Sequence, residues 1–112
     1  EKKYTPLKKF NGFPFLESGR YWMRQNHIYV SPFYYIDYTL AQVVAFQFLV
    51  EMMEDREKAW AKYVKLCKMG GKYPFTVLLK KNHLRNPFQK GTIGKVMRPL
   101  AKVLNQFDDS KI

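Results

Sequence analysis

Apolar positions along the chain recur at three- and four-residue steps, in blocks separated by glycine and proline, and this spacing predicts helices joined by short turns. Residues Glu1 to Pro14 carry Pro6, Gly12 and Pro14, so helix is disfavoured and an extended lead-in is expected over 1–14. From Phe15, the positions Leu16, Tyr21, Trp22, Gln25 and Ile28 can follow one helical face, although Gly19 interrupts it. Ser31-Pro32 reads as a helix start. The serine oxygen can accept from a free backbone N–H, and a proline at the first helical position has no N–H to leave unsatisfied. The helix that follows is apolar on more than one face (Phe33, Ile36, Leu40, Val43, Val44, Phe46, Leu49, Val50, Met53), which predicts burial around most of its circumference.

Asp55 is placed to cap the next helix, in which Trp60, Tyr63, Val64 and Cys67 oppose Glu57, Lys58, Lys62 and Lys65, and Gly70-Gly71 ends it. Pro74 can open a further helix from Phe75 to about His83, with Asn86-Pro87 as the next break. After Gly91-Thr92 an apolar face runs through Ile93, Val96, Met97, Leu100, Val103, Leu104 and Phe107, with Pro99 expected to kink or split the helix. No alternating strand pattern and no internal repeat occurs. The fold class is therefore all-α, a bundle-like helical segment over 15–112 behind the lead-in.

Composition narrows the reading. At 112 residues there is room for one modest core, and 46% hydrophobic with 17% aromatic residues excludes a disordered tail. The most apolar stretch, Thr39 to Met53, is broken by Gln42, Gln47 and Glu51 and falls short of the roughly 20 residues of a bilayer span, so no membrane partner is expected. Cys67 has no disulfide partner, which fits a reducing cytoplasm. The start Glu1-Lys2-Lys3-Tyr4 has no initiator methionine and no signal-peptide core, as expected of a processed fragment or an isolated domain. The 20 Lys+Arg against 9 Asp+Glu could suit an anionic partner, but the lysines are spread over every segment, on the faces expected to meet solvent, which argues against nucleic acid.

The chemistry concentrates between Gly19 and Tyr38, where one imidazole, His27, lies near Tyr29, Tyr34, Tyr35 and Tyr38. Tyr34 and Tyr38 are four apart and Tyr35 and Tyr38 three apart, so on a helix from Pro32 two or three phenols could converge. Phenol and imidazole donors suit a developing oxyanion. Read on spacing alone, such a tyrosine cluster with one histidine also fits a core or interface. No His-x-x-x-His pair, Ser/His arrangement or glycine-rich phosphate loop accompanies it, so no metal ligand set is present and no active site is complete. His83, among Lys80, Lys81 and Arg85, reads as a surface residue.

The run Leu16-Glu17-Ser18-Gly19 through Arg24-Gln25, then His27-Ile28-Tyr29 and above all Pro32-Phe33-Tyr34-Tyr35-Ile36-Asp37-Tyr38-Thr39-Leu40-Ala41-Gln42, resembles the segment after the metal site in oligoendopeptidase F type enzymes. These are zinc metallopeptidases of the thimet oligopeptidase family. The resemblance continues through Asp55-Arg56-Glu57-Lys58-Ala59-Trp60, Leu66-Cys67-Lys68-Met69-Gly70-Gly71 and Pro87-Phe88. It implies a C-terminal part of a helix-lined catalytic domain whose zinc is held by upstream His-Glu-x-x-His and Glu residues that this chain lacks. Zinc would thus serve the parent enzyme and none would bind here. The resemblance further implies that Tyr38 and His27 act on the oxyanion and that Tyr34, Tyr35 and Tyr29 hold an oligopeptide substrate. Alone, the chain would be inactive and would self-associate or bind the upstream catalytic half. Two alternatives remain at this point: a stand-alone basic helical module for an acidic protein or nucleic acid, and a structural remnant that assembles with another chain.

Overall fold

A computed structural model of the chain describes residues 1–106. Among them every regular element is helical, with no strand, so the all-α class holds. The helices are α1 (His27–Val30), α2 (Tyr35–Glu54), α3 (Arg56–Met69), α4 (Phe75–Lys81) and α5 (Thr92–Leu104). The chain divides into two compact units, Glu1–Asp37 and Tyr38–Ile112. Phe107, assigned above to the last helix's apolar face, lies outside the described residues.

In the first unit the lead-in is not extended but is a succession of turns. The Thr5 amide donates to the Glu1 carbonyl at 2.8 Å, the Lys8 amide to Thr5 at 3.1 Å, and the Phe13 amide to Phe10 at 3.0 Å. Proline prevents a continuous helix here but is compatible with turns, which satisfy backbone groups locally. The Tyr21 ring gathers this segment. Its centroid is 5.4 Å from that of Phe10, with Lys8 Nζ 3.0 Å above it and Arg24 Cζ at 4.2 Å, a contact in which the ring's negative face attracts both cations.

The expected continuous face from Phe15 breaks into a π-type turn over Leu16–Arg20, a 3-10 turn over Tyr21–Arg24, and α1. Gly19 at φ 82 is the physical reason for the first break, since a left-handed residue reverses the helical path. The Ser31-Pro32 helix start is also corrected. Those residues form a turn, closed by the Tyr34 amide donating to Ser31 at 3.1 Å, and Phe33 sits at φ 68, so helical geometry begins only at Tyr35.

The second unit has the core. Phe48, Leu79 and Leu84 are buried together, with Val44, Leu66 and Phe75 packed against them. Of α2 only Val43, Gln47 and Phe48 are buried, which corrects the expectation of burial around its circumference. At 20 residues, α2 is long and apolar enough to cross a bilayer by length and composition. Two of its polar side chains, however, are engaged within this unit. The buried Gln47 amide donates from Nε2 to the Arg85 carbonyl at 3.1 Å and accepts from the Arg85 amide through Oε1 at 2.7 Å. Glu51 pairs with Lys62 of α3 at 2.5 Å.

Asp55 caps α3 as its sequence predicts, Oδ1 accepting from the Lys58 amide at 3.0 Å. Gly70, at φ 25 and ψ −166, terminates it. Helix α4 begins after Pro74 and ends at Lys81, two residues short of His83. Its end follows the Schellman pattern: the Leu84 amide reaches the Leu79 carbonyl at 2.9 Å and the His83 amide reaches Lys80 at 3.2 Å, with His83 at φ 53. Leu84 and Leu79 then meet in the core, so the cap also sets a packing contact. Gly91 at φ 81 precedes α5, which runs through Pro99 unsplit. Val96 and Leu100 are its buried apolar residues, and Pro99 lacks the N–H that would donate to the carbonyl one turn back.

Candidate functional site

The residues singled out for chemistry lie on both sides of the turn at 31–34. His27 opens α1 and is half-buried, and the short helix that it begins is closed by the Ser31 amide donating to the His27 carbonyl at 3.0 Å. Tyr29, two residues on, is 56% exposed, its ring stacked near Trp22 with centroids 6.3 Å apart and 19° between planes. That stacking orients the phenol without covering it.

The 31–34 turn then returns the chain so that the first residue of α2 meets the first residue of α1. The His27 and Tyr35 rings lie 5.1 Å apart, inclined by 40°. The structure thus brings two of the named candidates into ring contact. Tyr34 stands one residue before α2, half-exposed, and its carbonyl accepts from the Asp37 amide at 3.0 Å. Because helix begins after it, the i, i+4 relation between Tyr34 and Tyr38 is not a relation within one helix. Tyr35 and Tyr38 do share one, both in the first turns of α2, and both are about half-exposed at 43% and 54%. Asp37 in the same turn places a carboxylate at the positive end of the helix dipole.

What this arrangement can do follows from its donors. Neutral phenol hydroxyls donate one hydrogen bond each along a rigid ring, and an imidazole can donate from either nitrogen, which are the kinds of donor that suit a carbonyl oxygen and developing negative charge. It cannot activate water by itself in the manner of a metal site. Among the described residues, no group of three or more His, Cys, Asp or Glu side chains could hold a metal ion. The chain's two histidines, His27 and His83, have no His-x-x-x-His spacing, so its own residues do not fit a zinc centre.

Outside this region the structure buries two amides that the hydrophobic pattern does not single out. Gln47 was read only as an interruption of an apolar run, and Asn82 not at all, although Asn82 is 1% exposed and its Nδ2 donates to the Leu78 carbonyl at 2.9 Å. Both are structural. A polar residue inside an apolar helical run was the available signal for Gln47. For Asn82 the signal was its place at the end of an apolar helix.

A scan against family models finds no match, and neither does a search of curated proteins. Solved structures do match. An oligoendopeptidase F crystal structure at 3.1 Å is 47% identical with a TM-score of 0.88, covering 100% of this chain and 20% of that one. PZ peptidase A in complex with an inhibitor is 46% identical with a TM-score of 0.85, covering 97% of this chain and 19% of that one. An oligoendopeptidase F from Bacillus anthracis str. Ames is 34% identical with a TM-score of 0.69, covering 99% and 20%. The chain thus spans about a fifth of the length of each structure it matches.

Proposed function

Since this chain is a segment of the oligoendopeptidase F family in sequence and in fold, we propose that it forms the C-terminal part of a zinc metalloendopeptidase acting on oligopeptides. Its contribution is the wall that holds the scissile peptide. The metal, with its activation of water, is supplied by residues outside this chain, and alone the segment does not cleave peptides.

On this reading Tyr38 donates its phenol hydroxyl to the oxyanion and His27 donates to the same oxygen or to the carbonyl before attack. Tyr34, Tyr35 and Tyr29 line the approach of the peptide backbone. Such donors accelerate hydrolysis because they are already aimed where charge will appear, so no reorganisation is needed as it develops. The observation that carries the reading is the pairing of His27 with Tyr35 at the start of the helix that also bears Tyr38. The exposed Cys67 remains a free thiol in this proposal, consistent with a cytoplasmic enzyme.

The test combines the chain with a separately produced polypeptide comprising the remaining part of an oligoendopeptidase F relative, including its His-Glu-x-x-His helix, with zinc and a quenched fluorescent oligopeptide. Cleavage should be restored. Removing one oxyanion donor by Tyr38→Phe should then lower kcat by about 10²–10³ with KM little changed. Restored cleavage that is indifferent to Tyr38→Phe and His27→Gln would refute the assigned roles.

A further inference from the structure

Within the second unit, the C-terminal half of α2 and the start of α5 border a cavity of about 430 Å³. Small-ligand sites typically measure about 300–1,000 Å³. Among its lining residues Leu84 and Val96 are buried and Val50 is half-buried, so part of the wall is apolar. Its charges are sorted by wall. Helix α2 contributes the carboxylates Glu51 and Glu54, whereas the connection after α4 contributes Arg85 and the start of α5 contributes Lys95.

Opposite charges that share a cavity can close it by pairing. Here Glu51 pairs instead with Lys62 of α3, and among the described residues Glu54, Arg85 and Lys95 enter no ion pair. The Arg85 backbone is held by both amide atoms of Gln47, itself a lining residue, so the guanidinium extends from a fixed base. His83 lines the same cavity at φ 53, a conformation that glycine would adopt without strain. A strained side chain beside a cavity points to use of that side chain.

We propose that this cavity binds a short peptide with both termini free, its carboxylate held by Arg85 and Lys95, its ammonium by Glu54, and one aliphatic side chain resting on Leu84 and Val96. A volume of about 430 Å³ is on the order of 9 Å across, which admits two extended residues at about 3.3–3.6 Å each. Glu54 stands 16 residues along α2 from Tyr38, about 24 Å at 1.5 Å per residue, so such a ligand does not reach the phenols. The proposal does not rest on the catalytic reading. If that reading holds, the site takes the class of molecule that peptide hydrolysis releases.

Titrating the isotope-labelled 112-residue chain with alanyl-leucine, followed by amide shifts in NMR, tests it. Saturating shifts are expected at Leu84, Arg85, Lys95 and Val96, with a Kd at or below about 1 mM. N-acetyl-alanyl-leucine and alanyl-leucine amide each lack one terminal charge and should each bind about fivefold more weakly, the scale of one partly exposed ion pair. Leucine alone, too short to join the two walls, should weaken similarly. Glu54→Gln should make the chain indifferent to acetylation, and Arg85→Gln with Lys95→Gln indifferent to amidation. These side chains are exposed and Gln47 holds only the Arg85 backbone, so the fold should survive, as circular dichroism would show. His83→Gly should weaken binding while raising stability, which a purely structural histidine would not do. The proposal is overturned if no saturating shift appears at these residues by about 10 mM, or if capped peptides or leucine bind within about twofold of the dipeptide. Dipeptide binding by a chain that restores no cleavage would uphold this site and sink the catalytic reading.

Discussion

Replacing Gln47 by leucine tests a buried polar contact of the second unit. Gln47 is 6% exposed and closes a two-bond ring with the backbone of Arg85 across 38 residues of chain, at 3.1 and 2.7 Å. Leucine has nearly the same volume, so packing is conserved while both bonds vanish. Each bond contributes about 0.5–1.5 kcal/mol net, and stranding the backbone groups adds about 1–3 kcal/mol each if water cannot reach them. Because Arg85 is itself exposed, water can partly replace the lost partners, and the expected cost is about 2–3 kcal/mol. Against a typical total of 5–15 kcal/mol that is a large fraction. Urea unfolding followed by far-UV circular dichroism would show it as a lower midpoint with unchanged slope. Gln47→Glu sharpens the test. A carboxylate still accepts from the Arg85 amide but presents a second negative oxygen to the Arg85 carbonyl, whereas the protonated acid can donate to it. The folded state should therefore raise this glutamate's pKa. The stability it contributes is present below the ordinary glutamate range and is lost as pH rises through the raised value. A Gln47→Leu variant within about 0.5 kcal/mol of the parent, or a Gln47→Glu variant equally stable at pH 4 and pH 8, would refute the argument.

Three further outcomes follow from local geometry. Asp55→Ala removes the side chain that accepts from the Lys58 amide and should cost about 1 kcal/mol in urea unfolding, with Asp55→Asn close to neutral. His83→Gly relieves a left-handed residue at φ 53 in the α4 cap and should raise the unfolding free energy by up to about 1 kcal/mol, whereas His83→Val should lower it. The Tyr63 phenol is pushed above its ordinary value by its hydrogen bond with Cys67, and secondarily by the charge of Cys67. That contribution is present below the ordinary phenol range and is lost as pH rises through the raised value. Cys67→Ala should return the Tyr63 titration, followed by ring carbon shifts in NMR with Tyr63→Phe for assignment, toward the ordinary value. An unmoved titration contradicts the pairing.

The parts of the fold legible in the sequence are those fixed within a few residues of themselves. Asp55, Gly70, Pro74 and Gly91 each act through one turn of backbone, and each lies where its chemistry predicts. The first unit was misread for the same reason in reverse. Ser31-Pro32 carries a sound helix-start signal, but Phe33 at φ 68 overrides it, and a bulky aromatic residue gives no local warning of a left-handed conformation. The misreading also reached the site. Moving the helix start from Pro32 to Tyr35 takes Tyr34 off the helix and leaves Tyr35, in ring contact with His27, as the phenol that shares α2 with Tyr38.

Helix α2 carries the more general lesson. Its apolar residues surround the axis, which predicts burial on every side, yet among its large side chains Tyr35, Ile36, Tyr38, Leu49 and Met53 are exposed. The pattern and the structure agree if a hydrophobic face records every contact a segment is selected to make, including contacts with polypeptide outside it. The two halves of the exposed face then differ in kind. Toward the N-terminus it is phenolic, with hydrogen-bond donors that a packed interface would have to satisfy and that a peptide carbonyl can use. Toward the C-terminus it is aliphatic, with little to offer a substrate and much to gain from a helix laid against it. The exposed face of one helix thus changes character along its length, from phenols at Tyr35 and Tyr38 to aliphatic side chains at Leu49 and Met53.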